Sequence, residues 1–124
     1  MPFRSAEAGY AYCAGLFEGE GTITHRSKHF RTRSGEKRPR KTPQFGLCIG
    51  MTDLEPLELW RDAMALGKIY GPYADRTHFK PTWKLEVCAL GDIREACRLM
   101  WPYLSPRRQA RITELVGDPN PLSV

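Results

Sequence analysis

The carboxylates Glu18 and Glu20 stand close together in the nine-residue segment 13–21, whose sequence is CAGLFEGEG. Both acids fall where a helix over residues 5–20 would end. Because the C-terminal end of a helix is electronegative, two acids at this position concentrate negative charge there. Gly21 would allow the chain to turn sharply into the strand-like run that follows. The segment therefore predicts an acidic helix end joined directly to a strand.

Small residues accompany the two acids. Ala14, Gly15 and Gly19 lack bulk, so another backbone could approach that face of the helix closely. A spacing of two glycines four residues apart is a weak pattern by itself, and the segment is too polar to span a membrane. A helix that merely happens to end in glycines and glutamates is therefore the plainer interpretation of the spacing alone.

Basic residues are concentrated directly after this segment. Between His25 and Thr42, eight of the nineteen Lys and Arg residues stand against one acid, Glu36. Together with the net charge of +5, this run favours contact with the phosphates of a nucleic acid. A solvated loop would explain the same run equally well.

Length and composition are those of one globular domain, which we place over residues 1–124. The hydrophobic fraction of 41%, with three Trp and five Phe, is typical of a packed core. The four cysteines form no C-x-x-C pair, which argues against a zinc site and favours reduced thiols. Since no signal peptide or long apolar segment is apparent, we expect a cytosolic protein.

The hydrophobic pattern predicts the order helix, hairpin, helix, hairpin, helix, helix. Ser5 is expected to cap the first helix and Thr52 the second. Ser105 precedes a proline, an arrangement typical of the start of a helix, and should cap the last one.

Alternating apolar and polar or small residues over 44–51 predict a half-buried strand. Residues 68–75 and 81–90 are expected to form the second hairpin. A basic hairpin loop is predicted at about 31–43, and a frayed tail at about 117–124.

Two hairpins in one antiparallel sheet could bury one face under helices and leave the other solvated. The solvated face should carry Thr24, Arg26, Lys28, Gln44, Tyr70, Lys84 and Glu86. Side chains of these types hydrogen-bond to base edges, and a two-stranded ribbon fits the major groove of DNA. A polar face that serves only solubility is an equally good interpretation of the sheet alone.

The segment 13–21 resembles, position for position, the LAGLIDADG signature of homing endonucleases. Cys13 stands for the first Leu, Phe17 for Ile, and Glu18 and Glu20 for the two Asp. Weaker likenesses extend over most of the chain. The resemblance implies an α+β fold of order αββαββα, with an antiparallel saddle-shaped sheet and helices on one face.

In this family two motif helices pack against each other, and one acid from each contributes to cleavage of the two DNA strands. Because this chain has a single motif, the resemblance implies a homodimer that acts on a palindromic or pseudo-palindromic target. The expected interface consists of Tyr10, Cys13, Ala14, Gly15, Phe17 and Glu18.

The resemblance also assigns roles at the end of the motif. Glu20 would be the metal-binding catalytic acid, and Gly19 would contribute its backbone carbonyl. Mg²⁺ suits such oxygen ligands; Mn²⁺ should substitute, and Ca²⁺ should bind without supporting cleavage. Arg107 aligns with a basic residue near the scissile phosphate, where its role would be electrostatic because Arg stays protonated. Met51 falls about where some members hold a water-positioning Gln.

The resemblance thus implies a site-specific double-stranded DNA endonuclease that needs no small-molecule cofactor and no membrane. Its location would be the cytoplasm, or an organellar matrix if the gene lies in an organellar intron. The alternatives are a non-cleaving protein of the same fold (an intron RNA maturase or a DNA-binding regulator) and a small basic interaction module. The expected DNA contacts are Thr24, Arg26, Lys28, Arg31, Arg33, Arg38, Arg40, Lys41, Gln44, Lys68, Tyr70, Arg76, Lys80, Thr82, Lys84 and Glu86.

Overall fold

The computed structural model describes residues 3–26, 29–31, 37–39, 44–74 and 80–119; for 25–26, 29–31, 37–39 and 44 it describes the backbone alone. The elements in chain order are α1 (Ala6–Glu20), β1 (Gly21–Arg26), β2 (His29–Arg31), β3 (Lys37–Pro39), β4 (Gln44–Met51), α2 (Glu55–Met64), β5 (Lys68–Tyr73), β6 (Thr82–Val87), α3 (Leu90–Met100), a 3-10 turn (Trp101–Tyr103) and α4 (Pro106–Val116). The predicted order of helices and hairpins is confirmed.

Four strands form one antiparallel sheet in the order β1-β4-β6-β5, so the two hairpins join through β4 and β6. Leu47 of β4 lies opposite Ile23 of β1 and Val87 of β6. Ile49 lies opposite Leu85 in the same way. Because side chains alternate between the faces of a strand, these residues share one apolar face. The predicted bounds of β4 are confirmed.

The helices cover this apolar face. Phe17 of α1, Trp60 of α2, Ile93 of α3 and Ile112 of α4 are fully buried and join the sheet residues in one core. The fold is therefore α+β with helices on one face of an antiparallel sheet. The opposite face of the sheet is open and carries the polar positions of the strands.

Serine caps begin two of the helices, as predicted. The Ser5 hydroxyl accepts a hydrogen bond from the Ala8 amide at 3.1 Å, and the Ser105 hydroxyl accepts one from the Arg108 amide at 3.2 Å. The predicted cap at Thr52 is wrong, because α2 begins at Glu55, three residues later. A proline in the first turn of α2 lacks an amide proton, which reduces the need for a capping side chain.

The beginning of the predicted tail is held in place. The Gly117 amide donates to the Thr113 carbonyl at 3.0 Å, and Arg94 donates to the Asp118 carbonyl at 2.8 Å. Pro119 is buried. Residues 117–119 are thus hydrogen-bonded or buried. Residues 120–124 lie outside the described part, and fraying of the tail stays a prediction.

The basic segment contains a short antiparallel ribbon. His29–Arg31 pairs with Lys37–Pro39, with Phe30 opposite Arg38. Residues 32–36 and 40–43 of the predicted basic loop lie outside the described residues.

None of the helices in the described ranges has the length and apolarity that a membrane crossing requires.

Candidate active site and nucleic-acid interface

The chain passes from α1 into the edge strand β1 without a connecting loop. Glu20 is the last residue of the helix and is exposed, and Gly21 is the first residue of the strand. Gly21 has an extended backbone (φ −91°, ψ 157°), so its glycine is not needed for conformation. A side chain there would collide with the buried ring of Phe17. The glycine thus lets the helix end lie directly on the strand.

Glu18 is bound within its own chain. Its carboxylate accepts a hydrogen bond from the Ser105 amide at 2.5 Å and lies 3.8 Å from the Nε of Arg108. The Ser105 hydrogen bond, followed by the positive charges of Arg108 and Arg107, holds the pKa of Glu18 below its usual range. Glu18 is therefore an anion at the start of α4, where the helix dipole favours negative charge. Its place in a dimer interface stays a prediction.

Arg108, in the first turn of α4, contacts the C-terminal end of α1. Its guanidinium donates to the carbonyl oxygens of Phe17 at 3.3 Å and Glu18 at 3.0 Å, and it lies 4.7 Å from the centre of the Phe17 ring. The last turn of α1 contains no basic residue of its own. Arg108 therefore supplies the positive charge that the C-terminal end of this helix favours.

The predicted catalytic arginine is the neighbour of this residue. Arg107 is exposed, and with Arg108 and Arg111 it lines an open hollow of about 410 Å³ on α4. Sequence reasoning missed Arg108. The sequence did contain one indication of its role, since Arg108 lies three residues after the cap Ser105. At that position its amide donates to the Ser105 hydroxyl, and its side chain belongs to the first turn of α4.

The acidic helix end offers oxygen donors of the kind that hard cations prefer. Both Gly19 and Glu20 are exposed. No group of three or more His, Cys, Asp or Glu side chains in the described ranges could hold a metal ion. The Glu20 carboxylate and the Gly19 carbonyl fit a Mg²⁺ ion chemically, as two oxygen ligands that other groups would have to complete.

Three residues of the predicted dimer interface belong to the core of the single chain. Cys13, Ala14 and Phe17 are 0% exposed. The Cys13 thiol lies 3.9 Å from the Trp60 carbonyl, and burial raises its pKa to about 12. These residues are packed in the core of the single chain with residues of the other helices and the sheet.

The remaining two predicted interface residues differ from each other. Tyr10 is half-buried against the core, whereas Gly15 is exposed. A Cβ atom added at Gly15 or at Gly19 would meet no atom of the described chain within 4 Å. At Gly9, by contrast, it would meet Ala63 and Phe3 at 3.3 Å. Within the described part of the chain, packing therefore gives no reason for glycine at these two exposed positions of α1.

The open face of the sheet brings predicted DNA contacts together. Across the four strands the register aligns Thr22, Cys48, Glu86 and Lys68 in one row. A second row aligns Gly50, Lys84 and Tyr70, and Tyr70 is 41% exposed. Both charges and hydrogen-bonding groups thus occur at neighbouring positions on one surface.

The other predicted contacts are distributed as follows. The Thr24 hydroxyl donates to the Gly46 carbonyl at 3.4 Å, and the Thr82 hydroxyl donates to the Tyr73 carbonyl at 3.5 Å. Lys80 is exposed. Only the backbone is described for Arg26, Arg31, Arg38 and Gln44. The residues outside the described ranges are Lys28, Arg33, Arg40, Lys41 and Arg76.

Comparison with known proteins finds likeness in structure alone. No protein-family profile and no curated protein matches the sequence. The homing endonuclease I-CvuI, in complex with its target in the presence of 2 mM Ca, is 14% identical over 87% of this chain and 64% of that one, with a TM-score of 0.61. The group I intron-encoded homing endonuclease I-CeuI, complexed with DNA, is 16% identical over 86% and 51%, with a TM-score of 0.66.

The LAGLIDADG meganuclease I-AabMI, bound to uncleaved DNA, is 16% identical over 86% of this chain and 34% of that one, with a TM-score of 0.61. The chain thus spans between a third and two thirds of the length of these proteins. It has the fold of LAGLIDADG homing endonucleases, which confirms the fold that the segment 13–21 implied.

Proposed function

We propose that this chain is a site-specific endonuclease for double-stranded DNA. It would act as a homodimer on a palindromic or pseudo-palindromic target by metal-dependent hydrolysis of phosphodiesters. The main support is the position of Glu20, an exposed carboxylate at the junction between α1 and the sheet. Glu20 is followed directly by β1, an edge strand of the sheet whose open face carries the two rows of polar residues.

Two sets of residues would contact the DNA, one for affinity and one for sequence specificity. The basic ribbon and the exposed Arg107 and Arg111 of α4 would contact phosphates, which gives affinity that falls steeply with salt. Lys84, Glu86 and Lys68 on the open face would contact base edges, and this would set sequence preference.

Glu20 and the Gly19 carbonyl would hold the divalent cation, with Mg²⁺ as the expected ion. When bound, such an ion polarises a phosphate and makes a water molecule more acidic. The residues of this chain would hold the acidic helix end rigidly and place Arg107 near the negative charge of the DNA backbone. Arg107 would act as a fixed positive charge, since it does not exchange its proton near neutrality.

The proposal of a homodimer rests on the one acidic segment within residues 1–124. Two strands are to be cut, and each chain would contribute one Glu20. The two copies would meet along the exposed face of α1 that contains Gly15 and Gly19, and we call this face the seam. Glycine permits two helix backbones to approach closely, and it lowers helix stability unless such an approach requires it.

One observation favours the non-cleaving alternative, an intron RNA maturase or a DNA-binding regulator. Met51, which stands about where a water-positioning Gln occurs in some proteins of this fold, is half-buried against the core. A thioether is only a weak hydrogen-bond acceptor, so this residue would not orient a water molecule.

A selection for cleaved sites from randomised duplexes tests the proposal directly. Wild-type protein with Mg²⁺ or Mn²⁺ should enrich sites with two-fold symmetry, and Glu20→Gln should enrich none. Tight binding to duplex DNA without any cleavage would favour the regulator, and preference for structured RNA would favour the maturase. Absence of nucleic-acid binding would leave only a protein-interaction module.

A further inference from the structure

We infer that Arg108 is a positioning residue for Glu20. It clamps the last turn of α1 through two backbone carbonyls and thereby fixes the backbone from which the exposed Glu20 side chain extends. The catalytic consequence rests on the proposed nuclease function, whereas the clamp itself does not.

The geometry of the clamp restrains the turn at two successive peptide units. The carbonyls of Phe17 and Glu18 both accept from the Arg108 guanidinium, at 3.3 Å and 3.0 Å. The Phe17 carbonyl also accepts a hydrogen bond from the Gly21 amide. The Glu18 carbonyl belongs to the final carbonyls of the helix, which have no intrahelical partner, so without Arg108 the turn would fray from Glu18 onward. Glu20 belongs to the same turn, so a restraint on these carbonyls also restrains its backbone.

Arg108 is itself held in place, which makes the restraint rigid. Its guanidinium lies 4.7 Å from the centre of the Phe17 ring, which is fully buried. Its backbone amide is bound to the Ser105 hydroxyl, and the Ser105 amide is bound to Glu18. With 20% of its side chain exposed, Arg108 has little freedom to leave.

The clamp also gives Glu18 and Glu20 different electrostatic surroundings. Arg108 and the start of α4 offset the negative charge of Glu18. Glu20 is then the acid at this helix end whose charge is directed outward, as a cation-binding carboxylate requires. Both carbonyls accept from the same guanidinium nitrogen, Nη2. A Lys at position 108 would keep the charge and one donor nitrogen, but it would lack the Nε near Glu18 and the planar group beside the Phe17 ring.

Arg108→Gln and Arg108→Lys test the clamp, with Arg98→Gln as the matched control. Arg98 is an arginine of α3 whose guanidinium pairs with Glu95 on the surface. Amide hydrogen exchange of the free protein should become about tenfold faster over residues 17–22 in Arg108→Gln, while α2 and α3 keep their protection. Arg108→Lys should be intermediate, and Arg98→Gln should match the wild type.

Cleavage gives the second measurement. The single-turnover rate constant at saturating Mg²⁺ and DNA should fall about 10- to 100-fold in Arg108→Gln, the cost typical of losing a group that orients a metal ligand. The DNA Kd should stay within about threefold, because the contact to DNA is not through this residue. Arg108→Lys should recover part of the rate.

The two measurements separate the inference from the nuclease function. Unchanged exchange over residues 17–22, or faster exchange with a wild-type rate constant, overturns the inference. If the wild type cuts no duplex but exchange rises locally in Arg108→Gln, the clamp is supported and the nuclease proposal fails. If Arg108→Gln unfolds globally, exchange and cleavage in Arg108→Lys decide by the same criteria.

Discussion

The Ser105 amide donates a 2.5 Å hydrogen bond to the Glu18 carboxylate, and this bond joins the end of α1 to the beginning of α4. Three residues later, Arg108 returns a contact to the Glu18 carbonyl at 3.0 Å. Each helix thus places a charge of the favourable sign at the terminus of the other. The reciprocal capping holds the acidic end of α1 against the rest of the domain.

Glu18→Gln should lower stability in a pH-dependent way. Since the folded-state pKa of Glu18 is lowered, its contribution is present above the unfolded pKa of about 4.3 and is lost as the pH falls through the folded value. We expect the free energy of unfolding to drop by about 1 kcal/mol at pH 7, because the Gln carbonyl can still accept a neutral hydrogen bond in place of the stronger bond to the carboxylate. Urea unfolding at pH 7 and at about pH 3 measures the difference, which should shrink in acid.

Glu114→Gln is the control for this effect, because Glu114 makes only an exposed ion pair with Arg111, at 3.2 Å. Exposed pairs of this kind contribute about 0.2–1 kcal/mol or nothing measurable. Equal stability of Glu18→Gln and the wild type at pH 7 would show that the helix junction does not depend on the charge.

Glu20→Gln should remove Mg²⁺-dependent nicking without loss of folding or DNA binding. Loss of a metal ligand should cost more than loss of its supporting partner, so we expect a rate reduction above about 100-fold. The measurements are nicking of supercoiled DNA, a binding titration with Ca²⁺ present, and thermal unfolding. Asp62→Asn, at an acid whose side chain is 65% exposed on α2, is the control and should cut normally. Normal cutting by Glu20→Gln would remove this residue from the mechanism.

Local patterns predicted the elements well. Alternation over 44–51 gave the bounds of β4, and the caps Ser5 and Ser105 form the expected hydrogen bonds. These features depend on residues within a few positions of each other. The prediction of Thr52 as a cap was wrong because a helix with proline in its first turn can begin without a capping side chain.

Features that depend on how helices face each other could not be predicted. The motif helix has apolar or small residues all round, so its pattern does not tell whether Cys13 faces the core or a second copy. Consecutive residues of a helix point about 100° apart. Whether Arg107 or Arg108 reaches α1 therefore depends on the rotation of α4, which is set by packing of Ile112 and other distant residues.

Lys84→Ala and Arg111→Gln should affect DNA binding in different ways. Lys84 lies in the middle of the open face, opposite Gly50 and Tyr70, and its loss should cost about 1–3 kcal/mol on the preferred target while relaxing base preference. Arg111 lies on α4, and its loss should weaken specific and random duplexes alike and reduce the salt slope by about 1. Titrations of both duplexes at several salt concentrations distinguish the two. A uniform loss for Lys84→Ala would make it a phosphate contact instead.

Gly15→Leu should dissociate the proposed dimer and leave the monomer folded. Nothing in the described chain lies within 4 Å of a Cβ at this position, and replacing an exposed helical glycine should gain about 0.5–1 kcal/mol of helix stability. A lower sedimentation coefficient would therefore report a lost contact between copies rather than unfolding. Gly91→Leu is the matched control, since Gly91 is also helical, exposed and free of atoms within 4 Å. If both variants sediment as the wild type does, the two copies do not meet along the seam, and a wild type that is monomeric in dilute solution would rule out a mechanism with one acid from each chain.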